Sequence, residues 1–234
     1  MLTPKKRITK KEMKQDPLFT AIGQLEVFYE QNKKYVSYAL TGIVVIVIAV
    51  FMYINNRRAN EEKAAAEFGK VFGLYDRAVN DPKQYTAAIN GQADRGIMGL
   101  KTIVENYGGT ESGELARFYL ANSYFNLGQY DEALKQYDSF SGGDKLLSAS
   151  ALAGLAGCYE AKKEYGKAAS NYEKAASVIL NTSSTPEYLN AAARCYGLSG
   201  EKEKAIALLK RLKKEYPTSS FAREADRYIS QFSA

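Results

Sequence analysis

The second half of the chain repeats itself. Ala121-x-x-Tyr124 recurs as Ala156-x-x-Tyr159 and Ala193-x-x-Tyr196, at successive offsets of 35 and 37 residues. A second set follows each of the first: Tyr130-x-x-Ala133-x-x-x-Tyr137, Tyr165-x-x-Ala168-x-x-x-Tyr172 and Lys202-x-x-Ala205-x-x-x-Leu209. Small and large residues thus return three and four positions apart, the spacing of one helix face. A unit of this length holds two helices and a turn, and it leaves an apolar face bare until a neighbour stacks on it. The architecture implied is a stack of similar units rather than one closed core.

Within such a unit helix A packs on helix B. Small residues belong where the two axes approach, and large ones fill the space between neighbouring units. Ala121, Ala156 and Ala193 suit the first place, and Tyr124, Tyr159 and Tyr196 the second. Gly128 and Gly200 mark the turn between the helices, where a positive φ is often needed; Lys163 takes that place in the middle unit. Pro217, after Lys213-Lys214-Glu215-Tyr216, stops the third B helix. The words LGQYDEALKQY, KKEYGKAASNY and SGEKEKAIALL resemble the tetratricopeptide repeat, whose ideal period is about 34 residues. The resemblance implies an all-α fold, a solenoid of helix pairs.

Three such repeats occupy 111–217. A capping helix is expected over 218–234, with Ser219 or Ser220 as N-cap and Phe221, Ala225, Tyr228, Ile229 and Phe232 on one face. A helical extension and a degenerate unit fill 55–110. Its helix A is Ala64–Val79 and its helix B is Gly96–Tyr107, and DPKQYTAAINGQADR between them is loop-like at both ends.

Residues 35–54, YVSYALTGIVVIVIAVFMYI, contain no charge. As a helix they cover roughly 30 Å, the thickness of the hydrocarbon layer of a bilayer. Tyr35, Tyr38 and Tyr53 stand near the ends, where amphipathic rings favour the headgroup level. The run is too long and starts too late for a cleaved signal peptide, so an uncleaved anchor is expected. Residues 1–34 form a basic tail with eight Lys/Arg against four acids; Arg57, Arg58, Lys63 and Lys70 are the basic residues close on the other side. That bias predicts a cytoplasmic N-terminus and an exported array. In the tail, Asp16-Pro17 is a helix start, followed by Leu18, Ile22, Leu25 and Tyr29 at helical spacing. This segment is either an amphipathic helix on the inner leaflet or the continuous extension of the anchor helix.

Composition removes most chemistry. The chain has no His and two Cys, hence no Ser-His-Asp triad and no His-bearing zinc site. The tail and Arg57-Arg58 account for the whole net charge of +6, so the remainder is balanced and nucleic acid is not an expected partner. No phosphate loop or metal-ligand spacing occurs, and no cofactor and no enzymatic activity are expected. Cys158 and Cys195 hold equivalent places in adjacent repeats, about 8–10 Å apart by helix packing, which makes them core fillers rather than a disulfide. Glu61-Glu62, Asp131-Glu132 and Glu201/Glu203 are read as helix-start acids that complement the macrodipole.

Solenoids bind along the concave face of their A helices. The groove positions are Phe118, Asn122 and Phe125 in the first repeat, Ala153, Gly157 and Glu160 in the second, and Asn190, Arg194 and Gly197 in the third. Family members that bind chaperone tails grip a terminal carboxylate with Lys or Arg and Asn; here Asn122 is present and Phe118 replaces the cation. Phe118 and Phe125 suggest apolar contacts with a peptide or partner helix, or with the preceding half-repeat as core. The order of basic tail, anchor and array is similar to the membrane-anchored tetratricopeptide proteins of bacteria, among them the ancillary subunit of the Sec translocon. The resemblance implies a single-pass inner-membrane protein with a periplasmic interaction module, its partners translocon subunits or periplasmic chaperones. A scaffold for envelope assembly or division, or a cytoplasmic adaptor at the inner membrane, fits the same residues.

Overall fold

The computed structural model describes residues 17–78, 80–180 and 183–233, with side chains from residue 28 onward. The tail up to Asp16, and the side chains of Leu18, Ile22 and Leu25, lie outside the described residues, as does Val79. Two compact units are distinguished, residues 1–56 and 57–234.

Helix α1 (Pro17–Arg77) runs 61 residues and belongs to both units, with one non-helical residue, Asn32. In the first unit it is the helix, among the described residues, that is long and apolar enough to cross a membrane. From Ile43 to Ile48 every side chain is more than half exposed, as is Phe51. Thr41 returns its hydroxyl to the Ser37 carbonyl at 2.9 Å, within its own helix.

In the second unit residues 57–77 of α1 are followed by α2 (Lys83–Asn90) and α3 (Leu100–Tyr107). Three antiparallel pairs come next: α4 (Glu111–Asn126) with α5 (Tyr130–Asp138), α6 (Lys145–Ala161) with α7 (Tyr165–Val178), and α8 (Thr185–Leu198) with α9 (Lys202–Glu215). Helix α10 (Ser220–Ser233) closes the series. The alanines that set the repeat lie in its core: Ala121, Ala156 and Ala193 on the A helices, and Ala133, Ala168 and Ala205 on the B helices, are all fully buried. A methyl group at these places lets two backbones approach where any longer side chain would hold them apart. Three apolar clusters follow one another along the chain rather than merging into a single core, as expected of units that contact only their neighbours.

The A–B turns are built alike. After the tyrosine that marks each A helix, Gln129, Glu164 and Glu201 donate their backbone N–H to the carbonyls of Tyr124, Tyr159 and Tyr196, at 2.9, 2.8 and 2.9 Å. Gly128, Lys163 and Gly200 donate to the carbonyl three residues back. This paired pattern is the Schellman motif, and it requires a left-handed residue in the middle. Gly128 (φ 72°), Lys163 (φ 62°) and Gly200 (φ 90°) all supply it, and Lys163 is the one non-glycine with positive φ among the described residues. The middle turn departs in sequence but not in geometry.

The degenerate unit differs from the sequence expectation at its second helix. Residues 91–92 and 97–98 pair as a minimal antiparallel ribbon around a 3-10 turn, Ala93–Arg95, and α3 starts at Leu100 rather than Gly96. Gly96 (φ 62°) turns the ribbon. A Cβ on Gly91 would overlap the Ile97 carbonyl, and one on Gly99 would overlap the Ile89 carbonyl. Between the two expected helices the segment also forms α2.

Glu61 is corrected too. It does not stand at the start of its own helix; it lies inside α1, and its carboxylate caps α4 instead. It accepts the Ser112 backbone N–H at 3.2 Å and the Ser112 hydroxyl at 2.5 Å. Thr110 accepts the Gly113 N–H at the same helix start. At the other end of the array Ser219 accepts the Phe221 N–H at 3.2 Å, and the Phe232 side chain of α10 is buried against the last pair.

Candidate functional site: the concave face

The A helices α4, α6 and α8 present one residue set at equivalent positions. In the first repeat Phe118 is half-buried and meets Tyr119, Tyr137 and Phe140 edge-on, with ring centroids 5.6, 6.2 and 6.1 Å apart. Tyr119, rather than Phe118, reaches the preceding unit, where it contacts Phe68, Phe72 and Tyr75. The side chain of Asn122 is engaged on both sides: the Tyr137 hydroxyl of its own repeat donates to its Oδ1, and it also hydrogen-bonds Tyr75 of the preceding unit. Phe125 stands edge-on to Tyr130 at 5.5 Å and lies over Gly157, whose missing Cβ would come within 3.3 Å of the ring.

Between the second and third repeats the face becomes polar. Arg194 Nη1 pairs with Glu160 Oε1 at 2.7 Å, and the Tyr172 hydroxyl donates to Glu160 Oε2 at 3.2 Å. The Arg194 and Glu160 side chains are 40% and 22% exposed, so water still reaches the pair. Asn190 holds its Oδ1 buried with no hydrogen-bond partner among the described residues. At Gly197 the groove ends: the Phe232 ring of α10 occupies the space a Cβ would need. The cap therefore fills the place where a fourth A helix would stack.

Two groove tyrosines were not legible as groove residues. Tyr137 and Tyr172 belong to the B helices and appear in the repeat words, yet their hydroxyls reach across to Asn122 and Glu160 of their own A helices. Burial raises the pKa of both hydroxyls, and the neighbouring Glu160 raises that of Tyr172 further. Both are fixed neutral donors. Gly154 was missed as well; its Cβ would overlap the Tyr137 ring. Cys158 and Cys195 are free and fully buried, and burial pushes both thiols up to about 12, so the nucleophilic thiolate is scarce at neutral pH.

The fold defines a class: an α-solenoid of helix pairs. The chain belongs to the tetratricopeptide repeat-like domain family, whose model matches residues 26–183, and a tetratricopeptide repeat model matches residues 191–219. Arrays of this family are protein-interaction scaffolds and generally not enzymes. Two solved structures are similar, both of a Podosopora anserina putative kinesin light chain with nearly identical TPR-like repeats. One, a point variant of that protein, is 16% identical with a TM-score of 0.48 and covers 68% of this chain and 85% of that one. The other is also 16% identical, with a TM-score of 0.47, and covers 68% and 86%. A search of the curated proteins finds none that matches.

Proposed function

We propose that this protein is a single-pass scaffold of a bacterial inner membrane, anchored by residues 35–54, whose periplasmic array holds a segment of another protein near the Sec translocon. Partner binding falls to the groove of Phe118, Asn122, Phe125, Glu160, Asn190 and Arg194. The observation that carries the reading is the pairing of two features in one chain. An uncharged run of 20 residues, all exposed but for Val36, is followed by an array whose A-helix face changes from aromatic to charged along its length. A partner segment with an apolar stretch followed by a polar one suits that gradient. The Lys/Arg bias supports the orientation.

Single-cysteine labelling tests the topology. Cys158 and Cys195 are first replaced by Ser, the residue at the equivalent position 123, and a cysteine is placed at Ser219 or Thr3. In cells with a permeabilised outer membrane, an impermeant maleimide is expected to label position 219 and spare position 3. The reverse pattern overturns the periplasmic reading and makes the protein a cytoplasmic adaptor. A photo-crosslinker at Phe125 then reads the partner: adducts with translocon subunits or emerging chains support the proposal, and adducts with cell-wall or division components favour the envelope-assembly scaffold.

A further inference from the structure

Helix α1 breaks once, and the place of the break is informative. At Asn32 the backbone leaves the helix (φ −118°, ψ 20°), and the Asn32 side-chain amide donates to the Phe28 carbonyl at 2.9 Å. A side chain inserted into the i→i−4 ladder is an established cause of a sharp bend. The bend immediately precedes Lys33 and Lys34, and the uncharged run begins at Tyr35. If residues 35–54 span a bilayer, the two lysines lie at headgroup level and the bend lies just outside them.

The helical segment before the bend carries an apolar stripe: helical spacing places Leu18, Ile22, Leu25 and Tyr29 on one face and Gln24, Glu30 and Gln31 away from it, with Phe19 and Val27 outside the stripe. Phe28 and Tyr29 are 59% and 51% exposed. Ahead of it stand Lys5, Lys6, Arg7, Lys10, Lys11 and Lys14 against Glu12 and Asp16. A straight continuation of the span would carry this apolar face into water, whereas a bend at Asn32 allows it to lie down.

We infer that residues 17–31 form an interfacial helix lying on the anionic leaflet of the membrane, hinged at Asn32 to the span. The occupant of the apolar face is the lipid surface, chosen by continuity with the span and by the excess of positive charge, which anionic headgroups attract. This inference rests on the reading of residues 35–54 as a membrane span.

The absence of Trp from the chain makes the test direct. Full-length L25W, Q24W and V45W are each reconstituted in phosphatidylcholine–phosphatidylglycerol vesicles brominated either high or low on the acyl chains. V45W is expected to lose emission most to bromine deep in the chains, L25W to bromine near the headgroup, and Q24W to neither. Quenching of V45W without that of L25W overturns the interfacial helix and leaves the span standing, as would a face occupied by a protein partner. Deep quenching of both L25W and Q24W also overturns it, since the segment would then be inserted. Failure to quench V45W overturns the span itself. In L25W carrying N32A, which removes the inserted amide and favours a straight helix, quenching is expected to fall; unchanged quenching overturns the role of the hinge.

Discussion

At the scale of single residues, the array shows where a shared geometry is met by unequal chemistry. The three Schellman turns have one backbone form, yet Lys163 supplies the left-handed residue in the middle one. A Cβ in that region costs about 1–2 kcal/mol more than glycine. Lys163→Gly is therefore expected to stabilise the protein by about 0.5–1 kcal/mol, the larger freedom of glycine in the unfolded chain taking back part of the gain. Gly128→Ala and Gly200→Ala are expected to destabilise it by a similar amount. Thermal unfolding of the detergent-solubilised chain checks all three; a lower midpoint for Lys163→Gly would contradict the argument. Glu61 gives a pH signature. Burial raises its pKa, but the hydrogen bonds from Ser112, together with those from the Glu111 backbone and the Thr110 side chain, outweigh this and leave it below the ordinary 4.5. A carboxyl with a depressed folded pKa contributes stability above its unfolded value and loses it as pH falls through the folded one. Glu61→Gln should thus lower stability at neutral pH and flatten the acid limb below about pH 4.5, a difference that unfolding midpoints measured across pH will reveal.

At the scale of elements, the A–B contacts were readable because they are local. Alanines and tyrosines at fixed offsets name both partners of a helix pair within one repeat, so periodicity alone located them. The ribbon at Gly91–Met98 was not readable, because its glycines are required by backbone from the opposite side of the ribbon and not by any pattern along one helix. The role of Glu61 was equally hidden: its partner Ser112 lies 51 residues away on another helix. In the groove, the A-helix positions followed from the repeat frame, whereas the tyrosine hydroxyls did not. Tyr137 reaches Asn122 in one repeat, and the equivalent Tyr172 reaches Glu160, one helical turn further along, in the next. Gly154 tests how tight this packing is. Its Cβ would meet a ring that is itself buried, so Gly154→Ala is expected to cost about 1–3 kcal/mol by overpacking. Gly109→Ala, with open space around it, serves as the control in chemical denaturation. Equal midpoints for the two variants would show that the Tyr137 ring yields freely.

At the scale of the whole array, three successive apolar clusters in place of one core imply that damage should stay local. Phe232 fills the space above Gly197 and packs with Tyr196, Leu209 and Leu212 in the last cluster. Removing its ring leaves a cavity and reopens the end of the stack, at a cost of about 3–5 kcal/mol for a buried aromatic. In a protein with one cooperative core that loss would lower the protection of every slow amide alike. In a linear array each unit draws stability from its own helices and from its neighbours, so the loss decays with distance along the chain. Hydrogen exchange on Phe232→Ala is thus expected to show faster exchange in α8, α9 and α10, a smaller change in α6 and α7, and wild-type protection in α3, α4 and residues 57–77 of α1. Uniform loss of protection through residues 57–233 would instead mean that the units fold together. The aromatic half of the groove would then respond to anything that disturbs the cap. Local loss would mean that the surroundings of Phe118 and Phe125 are indifferent to the state of the C-terminal end.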